Sequence, residues 1–211
     1  MTAAKAQMPT KAPDEKLEIP NYLVKETLDG IPLYYKDYQE VLNQTKTLED
    51  IMGSSSLQAE IISCLLQFLF KNIDLTKYRV YTNEIGSHIS HRNNMSHDIA
   101  IFDKKVLPAD KINTHYIAVP AKVVLEIDID IEPAQPLHWD YLTKKTETVL
   151  EFGTEKVIWV LTKSQKVLLA QAHQDWLLVD WNKDIEMFDG HYFNIGNYLK
   201  TEGIQLEEVE D

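Results

Sequence analysis

The sequence predicts a single α/β domain in which a mixed central sheet is flanked by helices and ends in an antiparallel extension. Three observations carry that expectation. A serine-capped, apolar-periodic stretch near residue 55 is followed by several β-rich runs. A second helical segment then separates two very apolar strand runs, the arrangement in which a crossover helix joins parallel strands. Short strand-like runs follow to near the end of the chain. With 211 residues, 44% of them hydrophobic, one sizeable core is possible, and no shift in composition divides the chain in two.

In chain order, residues 1–20 are poor in large apolar groups and carry three prolines, which reads as a flexible arm ahead of a domain spanning 21–203. After a short run from Lys36 to Met52, Gly53 to Ser56 supplies three consecutive serines that cap a helix running through Phe70. Arg79 to Asn83, Ser87 to Ser90, Asp98 to Phe102 and Lys122 to Asp130 read as strands, being β-branched or alternating. A helix from Leu137 to Phe152 is ended by Gly153. Lys156 to Thr162 is apolar enough for a strand covered on both faces. Val167 to Ala172, Trp176 to Val179 and Ile185 to Phe188 extend the sheet, and a short helix covers Ile195 to Lys200. Residues 204–211 form an acidic tail.

The single cysteine, Cys64, excludes an intramolecular disulfide and a thiolate zinc cluster, and its apolar helical setting makes it a core residue. No signal peptide or membrane-spanning run is seen, so a cytoplasmic location is expected. There is no P-loop, dinucleotide fingerprint or nucleophile elbow. Trp139, Trp159, Trp176 and Trp181 read as packing residues. The formal charge of −12 provides no broad basic field for a phosphate backbone, so any nucleic-acid site must concentrate its few cations in one cleft.

Chemistry is suggested by acids placed in apolar strands. Asp98 opens DIAIFD, and Glu126 interrupts VVLEIDID, where an unpaired carboxylate is costly to bury. Residues two apart on a strand share a face, so Glu126, Asp128 and Asp130 point one way. Either that face is solvated or a cation sits among the acids. Oxygen ligands of this kind suit magnesium or manganese. His88, His91 and His97 lie near Asp98 but match no compact zinc spacing; an exposed loop explains them, with His97 beside the site as a modulator.

The stretches KETLDG, GSSSLQAEI, SHDIAIFD, VVLEIDID and KKTETVLEFGTEKVIWVL, in that order, resemble the PD-(D/E)XK nuclease superfamily and, within it, the Uma-two family of bacterial restriction-endonuclease-like proteins. The resemblance covers roughly residues 22 to 165. It implies a restriction-endonuclease-like core in which Asp98 is the aspartate of the first motif, with His97 where the family usually has proline, and Glu126 is the acid of the second. The lysine expected two residues later is absent, since Asp128 stands there. The resemblance implies that this lysine has moved to the following helix, where Lys144 and Lys145 are available.

Helical geometry separates those two. At about 100° per residue, Trp139, Leu142, Thr146, Val149, Leu150 and Gly153 share a face. Lys145 lies at its edge and can reach the sheet, or snorkel beside the core. Lys144 lies nearly opposite, in water, as a surface partner for Asp140. On the first helix, Gln58 falls on the apolar face and either lines the cleft or bonds locally. Glu60 lies off that face and reads as solvated, although the superfamily often carries an acid on this helix. Glu84, at a strand end, reads as a loop residue that can approach the cleft.

The expected function is metal-dependent hydrolysis of DNA phosphodiesters. Asp98 and Glu126 would hold Mg2+ or Mn2+, Asp128 would assist a second ion, and Lys145 would steady the nucleophile or the developing charge. The competing expectation is an inactive nuclease-fold protein serving as a binding or regulatory module, supported by the missing lysine, the extra acids and the net charge. The sequence leaves open DNA against RNA and pairing of two chains as a homodimer.

Overall fold

The structure, a computed structural model, describes residues 19–91, 93–128 and 136–206, with side chains of 128 and 136–140 excepted. The elements are β1 (Val24–Leu28), β2 (Ile31–Tyr34), α1 (Tyr38–Leu42), α2 (Leu48–Met52), α3 (Ser56–Asn72), β3 (Tyr78–Ser90), β4 (Asn93–Asp103), β5 (Val123–Asp128), α4 (Pro136–Glu151), β6 (Lys156–Leu161), β7 (Lys166–Gln171), β8 (Leu177–Asp180), β9 (Ile185–Phe188), β10 (His191–Phe193) and α5 (Ile195–Thr201). Eight strands form one mixed sheet in the order β2-β1-β4-β5-β6-β7-β8, with β3 paired to β4; β9 and β10 form a small second sheet.

The expected elements form for the expected reasons. Ser55 caps α3 by accepting the Gln58 N–H at 3.2 Å. The β5–α4–β6 unit holds the one parallel pair among the described strands, and β6 is buried along its whole length, as a continuous apolar run requires. Gly153, at φ +117°, lets the chain leave α4 with its Cα against the Pro120 ring, where a Cβ would meet it at 3.2 Å. Cys64 is buried in the core, and burial pushes its thiol up to about 12. Among the described residues no helix is long and apolar enough to cross a membrane.

Several elements differ from expectation. The two short runs at 79–83 and 87–90 are one strand, β3, bent by an extra residue, because Thr82 pairs with Ile99 while Ile85 pairs with His97. Asn83 and Glu84, opposite Asp98, take left-handed conformations at φ 72° and 51°. β4 begins five residues before Asp98. The β1–β2 hairpin was not anticipated, although Asp29 and Gly30 both have positive φ, as a two-residue type I′ turn demands. The 1–20 arm and the acidic tail fall largely on residues 1–18 and 207–211, outside the described residues.

Two apolar clusters sandwich the sheet. Ile61, Leu65 and Leu69 of α3 pack with Ile99, Leu125 and Ile158, joined by Met187 and Leu199 from the C-terminal end. Leu142 and Val149 of α4 pack with Ala100, Val124 and Trp159 on the other face. Regular alternation would put Met95 and Ile99 together, yet Met95 packs on the α4 side and Ile99 on the α3 side. The alternation of β4 therefore breaks between them, at His97 and Asp98.

Candidate active site

The break lies at a fork in the sheet. β3 occupies one edge of β4 throughout, so β1 and β5 share the other: β5 pairs with Ile99–Ile101, and β1 meets β4 at Asn94. Between them, residues 96–98 have no ladder partner on that edge. Buried backbone groups need partners, and at the fork side chains provide them. Asp98 Oδ2 accepts the Ile127 N–H at 2.7 Å. Glu26 Oε1 accepts the Ser96 N–H at 3.3 Å, and Lys145 Nζ donates to the Ser96 carbonyl at 2.9 Å.

On the α3 side sits Asp98. Gln58 Nε2 donates to the Ile127 carbonyl at 3.0 Å and lies 3.5 Å from Asp98 Oδ1, so the amide expected on the apolar face does reach the cleft. Burial, followed by the charge of Glu126, raises the Asp98 carboxyl to about 6. Opposing that rise are the Ile127 N–H and then the charges of Lys145 and Lys25.

On the α4 side, Lys145 is 3% exposed and sits among acids. Its ammonium is 2.9 Å from Glu26 Oε1 and 3.1 Å from Glu126 Oε1. It also lies over the Trp159 ring at 5.6 Å and the Tyr141 ring at 5.9 Å. Burial alone would lower its pKa, but the charges of Glu126 and Glu26 outweigh burial and hold it well above the usual lysine range. Burial would likewise raise Glu26; the Lys145 charge and hydrogen bond, with those from Tyr141 and Ser96, bring it down to about 2 instead. Tyr141 donates its hydroxyl to Glu26 Oε2 at 2.7 Å.

His97 departs from expectation most. It is buried, not looped out, and its Nδ1 is 2.7 Å from Glu126 Oε1. Since an ionised carboxylate only accepts, His97 carries a proton on Nδ1 in this bond. His88 and His91 are exposed as expected, but His88 is not in a loop: it lies in β3 opposite Asn94, with its Nδ1 2.7 Å from Asn94 Oδ1, and His91 sits in the turn to β4. The difference is the fork: His97 falls where β4 changes facing and an inward strand position must be filled.

Other candidates lie elsewhere. Glu60 accepts the Tyr198 hydroxyl of α5 at 2.6 Å, because its helical position turns it to the C-terminal helix and away from the fork. Glu84 projects into solvent from the bulge and pairs with Lys25 at 3.9 Å. Lys144 is in water, and its partner is Asp29 of the β1–β2 turn at 2.6 Å; the side chains of Asp140 and Trp139 lie outside the described residues. The same holds for Asp128, whose backbone closes β5, and for Asp130 altogether.

Sequence reasoning missed Glu26, Tyr141 and Ser96. A signal for Glu26 was present, since Glu26 and Leu28 share a strand parity and both are buried.

No family model matches the chain, and no curated protein matches it. Among solved structures it is similar to a "putative nuclease belonging to DUF820" from Anabaena variabilis ATCC 29413, with a TM-score of 0.63, 14% identity, and coverage of 89% of this chain and 96% of that one. The fold is nuclease-like. DUF820 is the Uma-two family, so the likeness in structure and the resemblance of the motifs agree on a restriction-endonuclease-like architecture.

The donor set at the fork can be tested for a divalent ion. Among the described residues, no three or more His, Cys, Asp or Glu side chains converge as a metal cage. What is present is a carboxylate pair, Asp98 and Glu126, close enough for the charge of Glu126 to raise Asp98. That fits Mg2+ or Mn2+, which commonly use one or two carboxylates and retain water, and does not fit the closed N/S site of structural zinc.

Proposed function

We propose that this chain is a metal-dependent endonuclease that hydrolyses DNA phosphodiester bonds at the β4–β5 fork. The observation that carries the reading is Lys145. A buried ammonium 3.1 Å from the second-motif acid, delivered from the helix after β5, supplies the cation that the sequence lacks at position 128. The nuclease-like fold supports it.

Asp98 and Glu126 would hold the ion, which when bound lowers the pKa of a coordinated water and offsets charge on the phosphate. The protein's own groups do the rest. The Ile127 N–H fixes Asp98, the His97 Nδ1–H fixes Glu126, and Gln58 pins the Ile127 carbonyl. Lys145 stays protonated and so acts as a fixed positive charge toward a developing oxyanion, not as a general base.

The test is incubation of the purified chain with supercoiled and linear DNA plus Mg2+ or Mn2+. Nicking or cutting is expected, and both Asp98→Ala and Glu126→Ala abolish it. Cleavage that survives the double substitution overturns the proposal.

A second reading, an inactive nuclease-fold module that binds or regulates, is favoured by a specific feature: Glu126 Oε1 is already engaged by both His97 and Lys145. Calorimetry showing no Mg2+ or Mn2+ uptake, together with no cleavage of single- or double-stranded DNA, selects it.

A further inference from the structure

Lys145 reaches the fork on a long flexible stem from α4, and something must stop it wandering. Its three N–H donors have three acceptors: Glu26 Oε1, the Ser96 carbonyl and Glu126 Oε1. Two of the three belong to the structural frame. Glu26 is itself tied down, with Oε2 taking the Tyr141 hydroxyl and Oε1 taking the Ser96 hydroxyl at 3.0 Å. Among the described residues, its side chain bonds to Lys145, Tyr141 and Ser96.

We infer that Glu26 is a positioning residue of this site, a β1 carboxylate that seats the Lys145 ammonium against Glu126 and neutralises it there. Charge balance gives the reason for a third acid. With Glu126 as its sole counter-ion, Lys145 would cancel the charge that a metal needs. With Glu26 present, two carboxylates face one ammonium, so one net negative charge remains toward Asp98 and an incoming cation. Glu26 thereby holds Lys145 in place while leaving Glu126 able to act as a ligand. The catalytic consequence rests on the nuclease reading above; the seating of Lys145 does not.

The experiment uses the full chain and reads two things. The first is kcat and KM for DNA cleavage with Mn2+ in wild type, Glu26→Gln, Glu26→Asp and the control Lys144→Ala. The second is the side-chain ammonium resonance of Lys145 in nitrogen-15 lysine-labelled protein, assigned with Lys145→Arg. Partners of site groups typically affect activity 10- to 100-fold. Glu26→Gln is therefore expected to lower kcat by roughly that factor with KM within about threefold, and to remove or shift the slowly exchanging Lys145 signal. Glu26→Asp, which retains the charge but withdraws by one methylene, falls between, and Lys144→Ala matches wild type. Wild-type kcat in Glu26→Gln, or an unmoved Lys145 resonance, overturns the inference. If Glu26→Gln does not fold, Glu26→Asp with wild-type kcat and an unmoved resonance overturns it equally. If the wild-type chain cuts nothing, the nuclease reading fails alone, and the resonance still decides whether Glu26 seats Lys145.

Discussion

Glu26 and Asp98 are both carboxylates withdrawn from water at the same fork, and burial pushes both toward the neutral form. Only Glu26 has an ammonium against it, at 2.9 Å, and it ends at about 2, while Asp98 ends at about 6. The α4 side of the sheet is thus internally compensated. The α3 side carries a carboxylate with no ammonium against it among the described residues. The two carboxylates therefore differ in what offsets their burial: an ammonium of the chain itself for Glu26, a backbone N–H and more distant charges for Asp98.

The largest expected effect comes from removing the chain's own cation. Lys145→Met leaves Glu26 and Glu126 buried without their counter-ion, and breaking one side of a buried pair costs about 3–5 kcal/mol. Urea unfolding of the metal-free protein at pH 7.5 measures it. Adding Glu26→Gln to Lys145→Met should recover part of the loss, because one of the stranded charges is gone. A Lys145→Met variant as stable as wild type would erase the distinction between the two sides.

Asp98→Asn acts in the opposite direction. A carboxyl whose pKa rises from 3.8 to about 6 costs on the order of 2–3 kcal/mol when ionised in the fold. Its favourable contribution is complete below pH 3.8 and is lost as pH rises through about 6. Metal-free Asp98→Asn should therefore be more stable than wild type at pH 7.5, by about 1–3 kcal/mol, with the gain vanishing near pH 4. Glu26 has the reverse sign: its contribution is present above pH 4.5 and fades only as pH falls toward 2. Thermal melts from pH 3 to 8 separate the two, and a Glu26→Gln deficit that disappears near pH 6 would contradict the contrast.

Much of this frame was legible in the sequence because it follows from local pattern. The α3 cap, the β5–α4–β6 crossover and the apolar β6 all derive from periodicity and capping. Glu126 was placed by strand parity, Gln58 and Lys145 by helical angle, and Asp98 by its position before an apolar run and by the family resemblance; the structure brings all four to one fork. What was not legible depends on long-range pairing. Glu26 lies 119 positions from Lys145, and its strand was overlooked although Asp29-Gly30 is a strong hairpin signal. His97 was read as exposed because nothing local announces that a bulge in β3 changes the facing of β4 beside it. Glu60 illustrates the reverse: a helix face shows that a residue is off the core but not which distant helix will receive it.

The smallest expected effect tests the helical argument itself, using neighbours identical in type. Lys144 and Lys145 are adjacent in sequence and so lie about 100° apart around α4. That rotation moves the ammonium from the Glu26–Glu126 cleft to a solvent pair with Asp29, where its side chain is 44% exposed. Water and salt screen such a pair, and two long side chains lose entropy in holding it. Lys144→Ala should leave the urea midpoint, the Mn2+ affinity and any cleavage rate at wild-type values within error. The same substitution one residue later should change all three. Equal consequences at the two positions would mean that charge near the fork matters and its placement does not, and the assignment of Lys145 as the seated cation would fail.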